Sequence, residues 1–266
     1  MISYQFNLTP AAGKRLIAKA IASYKPLTDA LEKNSTIAII AGTTNGYVAE
    51  EILSLINQNE GFDKSRFFRG ITLPPHIKTS ETGRLPSQEK DFPGDVIITN
   101  GRWQKGKTIA DVLENLKNGD IIIKGANAVD PTLKKAGILV GNPRGGTILM
   151  ALQAVTGRRA RLIIPVGLEK RVTNDIDEIA YKTNRPESCG WRMLSIGGAE
   201  VITEIQAIEI LSGNKVRATL IASGGVEGAE GSVLIGIESE SEESIGRIKK
   251  IADEVAGEPL FKISRK

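Results

Sequence analysis

Residues 36–46 read TIAIIAGTTNG, an apolar run that passes directly into a turn containing two glycines. An unbroken apolar run of this length is typical of a strand that is buried on both faces of a sheet. Val48, Ile52 and Ile56 then recur at the spacing of one helix face. This succession of strand, glycine turn and helix predicts a protein of the α/β class.

Further strands and helices alternate outward from this unit through the first two-thirds of the chain. The predicted strands are residues 95–99 (DVIIT), 120–124 (DIIIK), 137–141 (GILVG) and 161–167 (RLIIPVG). Thr108 and Asp111 have the spacing of a capping box and predict a helix between the first two of these strands. Residues 147–155 predict a helix between the last two. The alternation predicts a doubly wound parallel sheet, a Rossmann-like domain over residues 1–190.

The pattern changes near residue 191. The predicted elements are a strand at 191–195, a helix at 199–211, strands at 215–223 and 232–238, a helix at 241–255 and a strand at 260–263. The order β-α-β-β-α-β is that of the ferredoxin-like plait. We therefore predict a second, smaller α+β domain over residues 191–266. The proline-containing residues 60–95 are interpreted as a long surface loop, and such loops are often lids or binding loops.

The N-terminal segment has the features of a packed helix and not of a targeting sequence. Thr9 and Pro10 predict a capped helix start, and the apolar stripe that follows leaves Lys14, Arg15 and Lys19 outside it. No apolar run in the sequence has the length of a membrane span. We therefore expect a cytoplasmic protein with no membrane partner.

Composition narrows the possible chemistry. The 266 residues carry a formal net charge of +4, and residues 198–266 hold 8 basic against 12 acidic side chains. Positive charge is therefore concentrated in residues 1–197, which favours an anionic ligand there. The single cysteine, Cys189, and the single histidine, His76, exclude a disulfide framework and a metal centre rich in cysteine or histidine. We expect no metal and no bound cofactor.

Nucleic acid is the other partner that basic charge suggests. Arg158, Arg159 and Arg161 form the densest basic cluster, but arginine is favourable at the end of a helix for reasons unrelated to nucleic acid. Aromatic and basic residues do not interleave along a strand, as a platform for stacked bases requires. Nucleic acid is therefore a disfavoured partner.

Three turns that contain glycine follow predicted strands, at the sheet edge where parallel α/β folds bind ligands. Free N–H groups at helix N-termini attract phosphate or carboxylate, and Lys124 and Arg144 add positive charge. The turns match neither the P-loop nor the GxGxxG fingerprint. We predict a site for an anionic small molecule, with ordinary turns as the alternative. The candidate binding residues are Gly42, Thr43, Thr44, Asn45, Gly46, Lys124, Gly125, Ala126, Asn127, Arg144, Gly145, Gly146 and Thr147.

Three segments resemble a known superfamily. GTTNG at residues 42–46 is similar to the phosphate loop of the superfamily that contains ribose-5-phosphate isomerase, glucosamine-6-phosphate deaminase and the CoA transferases. GDIIIKGANAVD at 119–130 is similar to a later strand and loop of that superfamily, and RLIIPVGLEK at 161–170 resembles lactate-utilisation protein C. The resemblance implies that Lys124 contacts a substrate or its phosphate. It also implies a homo-oligomer.

Two carboxylates near the predicted sheet edge are the candidate catalytic residues, Asp130 and Glu169. Aldose–ketose isomerisation moves a proton between adjacent carbons, and a carboxylate in a poorly solvated cleft could act as the base. The CoA transferases use a glutamate nucleophile, for which Glu169 is the candidate. The alternatives are a helix cap for Asp130 and a surface ion pair for Glu169.

The isomerase resemblance also requires a glutamate nine residues after the lysine, where this chain has Leu133. Three hypotheses therefore stay open. The protein is an isomerase-type enzyme acting on a phosphorylated or carboxylated small molecule, a CoA-transferase-type enzyme, or a non-catalytic ligand sensor or assembly subunit.

Overall fold

The computed structural model describes residues 1–80, 83–86 and 92–264. The strands are β1 Tyr4–Leu8, β2 Ile37–Ile39, β3 Val96–Thr99, β4 Arg102–Trp103, β5 Ile121–Ile123, β6 Ala128–Asp130, β7 Lys135–Val140, β8 Arg161–Pro165, β9 Arg192–Ile196, β10 Glu200–Ile202, β11 Arg217–Gly224 and β12 Ser232–Glu238. The helices are α1 Pro10–Ala22, α2 Lys25–Glu32, α3 Thr43–Leu55, α4 Ile109–Val112, α5 Gly146–Arg158, α6 Ile176–Thr183, α7 Glu204–Leu211 and α8 Glu242–Ala256.

The central sheet has six strands in the order β10-β8-β5-β2-β3-β4. The first four strands of this order are parallel, whereas β3 runs antiparallel to β2 and β4 antiparallel to β3. The fold is therefore mixed α/β, and the prediction of an all-parallel sheet is wrong at β3. The long loop that precedes β3 brings residues 69–77 to the end of the sheet where β2 ends. Strand β3 therefore begins at that end and runs antiparallel to β2. Asn100 and Gly101, with φ of 52° and 68°, then turn the chain into β4.

Two three-stranded antiparallel sheets flank the central sheet, with the orders β1-β12-β11 and β6-β7-β9. The strand predicted at 137–141 belongs to one of them, as β7, and not to the central sheet. The reason is local: residues 128–130 form β6, and the chain turns back at Lys134, whose φ is 53°, to make a hairpin with β7.

The strands predicted for a ferredoxin-like plait do not form one sheet. Strand β9 pairs with β7, β10 extends the central sheet beside β8, and β12 pairs with both β1 and β11. Residues 200–202, predicted as helix, form β10 because Val201 and Ile202 are buried beside β8. Residues 260–263 form no strand. Strands that precede residue 190 pair with strands that follow residue 191. The division into two domains at this position stays a prediction.

The core lies on both faces of the central sheet, because alternate residues of each strand point to opposite faces. Ile37 and Ile39 of β2 pack in one cluster with α1, α3 and α7, and Ala38 and Ile40 pack in a second cluster with α4 and α5. Thr9 caps α1 as predicted, with its hydroxyl oxygen accepting the N–H of Ala12 at 3.2 Å. No helix in the described part of the chain has the length and apolarity needed to cross a membrane.

The parallel strands β2, β5 and β8 end at the same edge of the sheet. The turns that follow them, at residues 42–46, 124–127 and 166–170, are therefore neighbours in space. Two of these turns were predicted as binding turns, and the third carries Glu169.

Candidate functional site

A cavity of about 1260 Å³ opens at the carboxyl edge of β2 and β5. This volume exceeds the roughly 300–1000 Å³ of most small-molecule pockets. Its walls come from the turns after β2, β5 and β8, from residues 69–77 of the long loop before β3, and from residues 261–263 near the C-terminus. The cavity is therefore assembled from segments that lie far apart in the sequence.

The N-terminus of α3 forms one wall. The helix follows Gly42 and has no side-chain cap, so its first N–H groups have no partner within the helix. Thr44 lines the cavity and is 2 % exposed, and its hydroxyl has no hydrogen-bond partner among the described residues. Behind it, Asn45 donates to the carbonyls of Ile40 at 2.6 Å and Ile123 at 3.0 Å, which joins the ends of β2 and β5. This wall therefore presents N–H groups and a hydroxyl that can donate to a ligand.

Five cationic side chains line the cavity: Lys14, Arg69, Lys124 and Lys170, and the exposed Lys262 of the C-terminal segment. Lys14 pairs with Glu169 at 2.7 Å, and Arg69 pairs with Asp95 at 2.5 Å. Within the described parts of the chain, neither Lys124 nor Lys170 has a carboxylate oxygen within 4.0 Å of its Nζ atom. Lys170 donates to the carbonyl of Ala126 at 2.9 Å, and no acceptor of a described residue lies within hydrogen-bond distance of the Lys124 amine. The cavity wall therefore carries an excess of positive charge.

The Lys124 amine is electrostatically perturbed. Burial lowers the pKa of Lys124 to about 8, and the positive charges of Arg69 and Lys170 act in the same direction against the opposing effect of Asp95. Burial also lowers the pKa of Lys170. Both shifts follow from placing unpaired ammonium groups in a poorly solvated region.

Asp95 lies behind the cavity wall and connects the segments that form its edge. Its carboxylate is fully buried and accepts the N–H of Ala41 at 2.9 Å and the N–H of Ile109 at 3.0 Å, in addition to the guanidinium of Arg69. It thereby joins the end of β2 to the start of α4. Arg69 also stacks on Phe92, with 4.4 Å between the guanidinium carbon and the ring centroid. Asp95 is thus the residue that positions Arg69.

A buried carboxylate pair lies beside the lysines. Glu169 accepts from Lys14 through Oε1, and its Oε2 atom has no partner among the described residues. Glu204, at the start of α7, accepts the N–H of Leu168 at 2.8 Å and is 1 % exposed. Burial raises the pKa of Glu204 to about 7, and the nearby charge of Glu169 adds to the shift. Burial also opposes ionisation of Glu169, but Lys14 and Lys170 outweigh it and lower the pKa of that carboxyl.

The C-terminal segment is held over the cavity by its own contacts. Glu258 accepts from Arg15 at 2.8 Å, and Lys64 lies 3.7 Å from the same carboxylate. Phe261 packs near the Tyr47 ring, with 6.4 Å between centroids. These contacts stabilise residues 261–263 at the cavity, which they line together with residues 69–77.

The structure brings together seven of the predicted binding residues. The cavity is lined by Gly42, Thr43, Thr44, Lys124, Gly125, Ala126 and Asn127. Asn45 and Gly46 lie in the first turn of α3 behind this wall.

The remaining predicted residues lie elsewhere. Arg144, Gly145, Gly146 and Thr147, around the start of α5, do not line the cavity, and the Arg144 N–H donates to the side chain of Asn142 at 2.8 Å. The carboxylate of Asp130 accepts the N–H groups of Thr132 and Leu133, both at 2.9 Å. Asp130 therefore caps the turn between β6 and β7, not a helix, and it does not line the cavity. The catalytic roles of Asp130 and Glu169 stay predictions.

Sequence reasoning missed Lys14, Arg69, Asp95, Lys170 and Glu204. Of these five residues, only Asp95 lies in a recognisable sequence pattern, an aspartate immediately before an apolar run. Asp120 lies in the same pattern. Asp120 accepts the N–H groups of Thr36 and Lys117 at the opposite end of the sheet. The two similar patterns lie at opposite ends because β3 and β5 run in opposite directions.

Protein-family models, curated proteins and solved structures yield no match to this chain. Membership of the isomerase, deaminase and CoA-transferase superfamily therefore stays an interpretation of three short motifs. In the described part of the chain, no three His, Cys, Asp or Glu side chains come close enough together to hold a metal ion.

Proposed function

We propose that this protein binds a phosphorylated or carboxylated small molecule in the cavity at the carboxyl edge of β2 and β5. The observation that carries the proposal is that the uncapped start of α3 and the unpaired amine of Lys124 line the same cavity. A helix N-terminus and a cation that face one space form a favourable place for an anion. The position, beyond the carboxyl ends of parallel strands, is where Rossmann-like sheets bind ligands.

Two polar groups of the cavity wall, the Lys124 amine and the Thr44 hydroxyl, lack partners among the described residues. An ammonium group in a poorly solvated place raises the free energy of the folded protein unless a counter-charge compensates it. Lys124 has no such counter-charge among the described residues, and the hydroxyl of Thr44 has no acceptor. A bound phosphate or carboxylate would supply both, because its oxygens accept several hydrogen bonds at once.

The test is a thermal-shift titration with ribose 5-phosphate, glucosamine 6-phosphate, acetyl-CoA and inorganic phosphate. A ligand at 100 times its dissociation constant stabilises the folded protein by about 2.7 kcal/mol. Loss of a charge-assisted hydrogen bond in Lys124→Ala should weaken binding by about 1.5–3 kcal/mol, or roughly 10- to 150-fold.

Two further variants make the titration specific. Lys117→Ala is the matched control, because Lys117 precedes β5 at its other end and is exposed, whereas Lys124 follows the same strand. Arg144→Ala tests the predicted third turn and should bind as the wild-type protein does. If Arg144→Ala loses affinity and Lys124→Ala keeps it, the anion does not bind in the cavity.

A second candidate function is isomerase-type proton transfer with Glu169 as the base. The specific observation is the Oε2 atom of Glu169, which is buried without a partner beside the cavity-lining Lys14. Glu169→Gln should then bind the anion at least as tightly, because Lys14 loses its counter-charge, and abolish turnover of the sugar phosphate that binds. Binding without turnover in the wild-type protein would favour the ligand-sensor hypothesis. Acyl transfer from acetyl-CoA, lost in the same variant, would favour the CoA-transferase hypothesis.

A further inference from the structure

The Lys124 amine differs from the cationic side chains of Lys14, Arg69 and Lys170, which line the same cavity. Lys14 donates to Glu169 and to the carbonyl of Pro10, and Lys170 donates to the carbonyl of Ala126. Arg69 donates to Asp95. Among the described residues, Lys124 alone of these four has neither a carboxylate nor a hydrogen-bond acceptor at its nitrogen. Once the amine is neutral, no hydrogen bond or ion pair with a described residue competes for its lone pair, and the side chain lines the cavity.

We infer that Lys124 is a nucleophile that forms an imine with the carbonyl carbon of an anionic aldehyde or ketone bound in this cavity. The inference rests on the proposed function, since the phosphate or carboxylate of that compound would be held by the start of α3 and the neighbouring cations. A lysine that is desolvated and placed beside other cations is a recognised form of amine nucleophile.

The protonation equilibrium favours this chemistry near neutral pH. Burial and the charges of Arg69 and Lys170 lower the pKa of Lys124 to about 8. At pH 7.5 about a quarter of such amines are neutral, against about 0.1 % for a lysine with an ordinary pKa near 10.4. The neutral fraction at Lys124 is therefore roughly 200-fold larger than at an exposed lysine.

The step needs no oxidant or reductant. The nitrogen lone pair attacks the carbonyl carbon, a C–N bond forms, and the carbonyl oxygen takes up a proton to give a carbinolamine. The C–O bond then breaks, and the oxygen leaves as water together with both protons of the original amine. The product is the C=N bond of the imine, and reversal of the same steps releases the carbonyl compound.

The first experiment measures the reactivity of the Lys124 amine and needs no natural ligand. Pentane-2,4-dione condenses with neutral amines to give a stable enaminone and water, and peptide mapping locates the modified lysine. In the wild-type protein at pH 7.5, Lys124 should be modified before any exposed lysine, with Lys117 as the reference. The inference is overturned if Lys124 reacts no faster than Lys117, and no variant is needed for this comparison.

The second experiment traps the imine itself. The protein is incubated with dihydroxyacetone phosphate or pyruvate, reduced with sodium borohydride, and analysed by intact mass and peptide mapping. We expect one adduct at Lys124, which is absent in Lys124→Arg, retained in Lys117→Arg and suppressed by excess inorganic phosphate. An adduct distributed over surface lysines, or one that persists in Lys124→Arg, contradicts the inference.

The two proposals fail in distinguishable ways. If dihydroxyacetone phosphate raises the melting temperature while Lys124 reacts with pentane-2,4-dione no faster than Lys117, the imine inference fails and the proposed function stands. If Lys124 reacts rapidly with the dione, but no anion raises the melting temperature or competes for labelling, the anion site fails. The inference then fails with it, because its carbonyl substrate has nothing to hold it.

Discussion

Glu204 should make the stability of this protein depend on pH in a direction opposite to that of an ordinary carboxylate. Its ordinary pKa is 4.5, and burial together with the charge of Glu169 raises the pKa to about 7 in the folded protein. Between these values the folded state keeps a proton that the unfolded state has released. The stabilisation is therefore fully present below pH 4.5 and is lost as the pH rises through about 7.

The magnitude follows from the shift. Raising a carboxyl pKa from 4.5 to about 7 corresponds to a loss of roughly 3 kcal/mol of stability once the group is ionised in both states. Glu204→Gln removes the ionisation and keeps an oxygen that accepts the N–H of Leu168. The variant should therefore match the wild-type protein at pH 4.5 and exceed its stability by up to roughly 3 kcal/mol at pH 8.5. For a chain of this length, that gain corresponds to about 6–10 °C in melting temperature.

Urea unfolding at pH 4.5, 7 and 8.5 measures the difference directly. Glu209→Gln is the matched control, because Glu209 lies on the same helix but is partly exposed and makes no ion pair among the described residues. The control should show no comparable pH-dependent gain. A difference between Glu204→Gln and the wild-type protein that is the same at all three pH values would refute the argument from burial.

Two further predictions concern packing and positioning. Gly13→Ala should destabilise the protein by about 1–3 kcal/mol in urea unfolding, because a Cβ atom there would collide with Oε1 of buried Glu204. Gly157→Ala in α5, where a Cβ atom meets nothing within 4 Å, should instead be neutral or stabilising by up to about 1 kcal/mol. Equal effects at the two glycines would remove the steric argument. Asp95→Asn should cost about 1–3 kcal/mol, because an amide oxygen at the Oδ1 position keeps the Ala41 and Arg69 donors but leaves the N–H of Ile109 unpaired, and it should strengthen phosphate binding because Arg69 loses its counter-charge. Unchanged affinity in a folded Asp95→Asn protein would show that Arg69 takes no part in binding.

Features that depend on neighbouring residues were predictable from the sequence. The cap at Thr9 and the capping box of Thr108 and Asp111 are confirmed, the latter with the Thr108 N–H donating to the Asp111 carboxylate at 2.7 Å. The turn after β2 and the turn after β5 were found for the same reason. In each case a short apolar strand is followed by a turn that contains glycine. Both turns lie at the same edge of the sheet because β2 and β5 pair in parallel.

Features that depend on pairing between distant segments were not predictable from local patterns. An apolar run such as residues 95–99 predicts a buried strand but contains no information about its direction, so Asp95 could not be assigned to the cavity edge. Val201 and Ile202 are apolar residues that could be buried in either a helix or a strand. Pairing with β8 stabilises the strand. The partner of β1 is β12, which lies more than 200 residues later in the chain.

Lys14 shows how a helical pattern misleads when a helix is covered on several sides. The apolar stripe of α1 places Lys14 outside it, but α1 packs against α3, α7 and α8, so Lys14 is only 7 % exposed. A lysine buried to this extent requires a counter-charge, and Glu169 supplies it. The surface ion pair that was the alternative for Glu169 is thus a buried pair, and it neutralises Lys14 at the cavity wall.

This pairing determines which anion fits the proposed site. Among the described residues, Lys14 is neutralised by Glu169 and Arg69 by Asp95, which leaves Lys124, Lys170 and the exposed Lys262 as unbalanced charges, together with the partial positive charge of the α3 N-terminus. Because solvent screens the charge of Lys262, the uncompensated charge inside the cavity is close to two. A phosphate monoester carries about −1.5 to −2 at pH 7, whereas a carboxylate carries one negative charge and offers fewer acceptor oxygens. Within the proposed class of ligands, the charge balance of the cavity wall thus favours the phosphorylated members over the carboxylated ones.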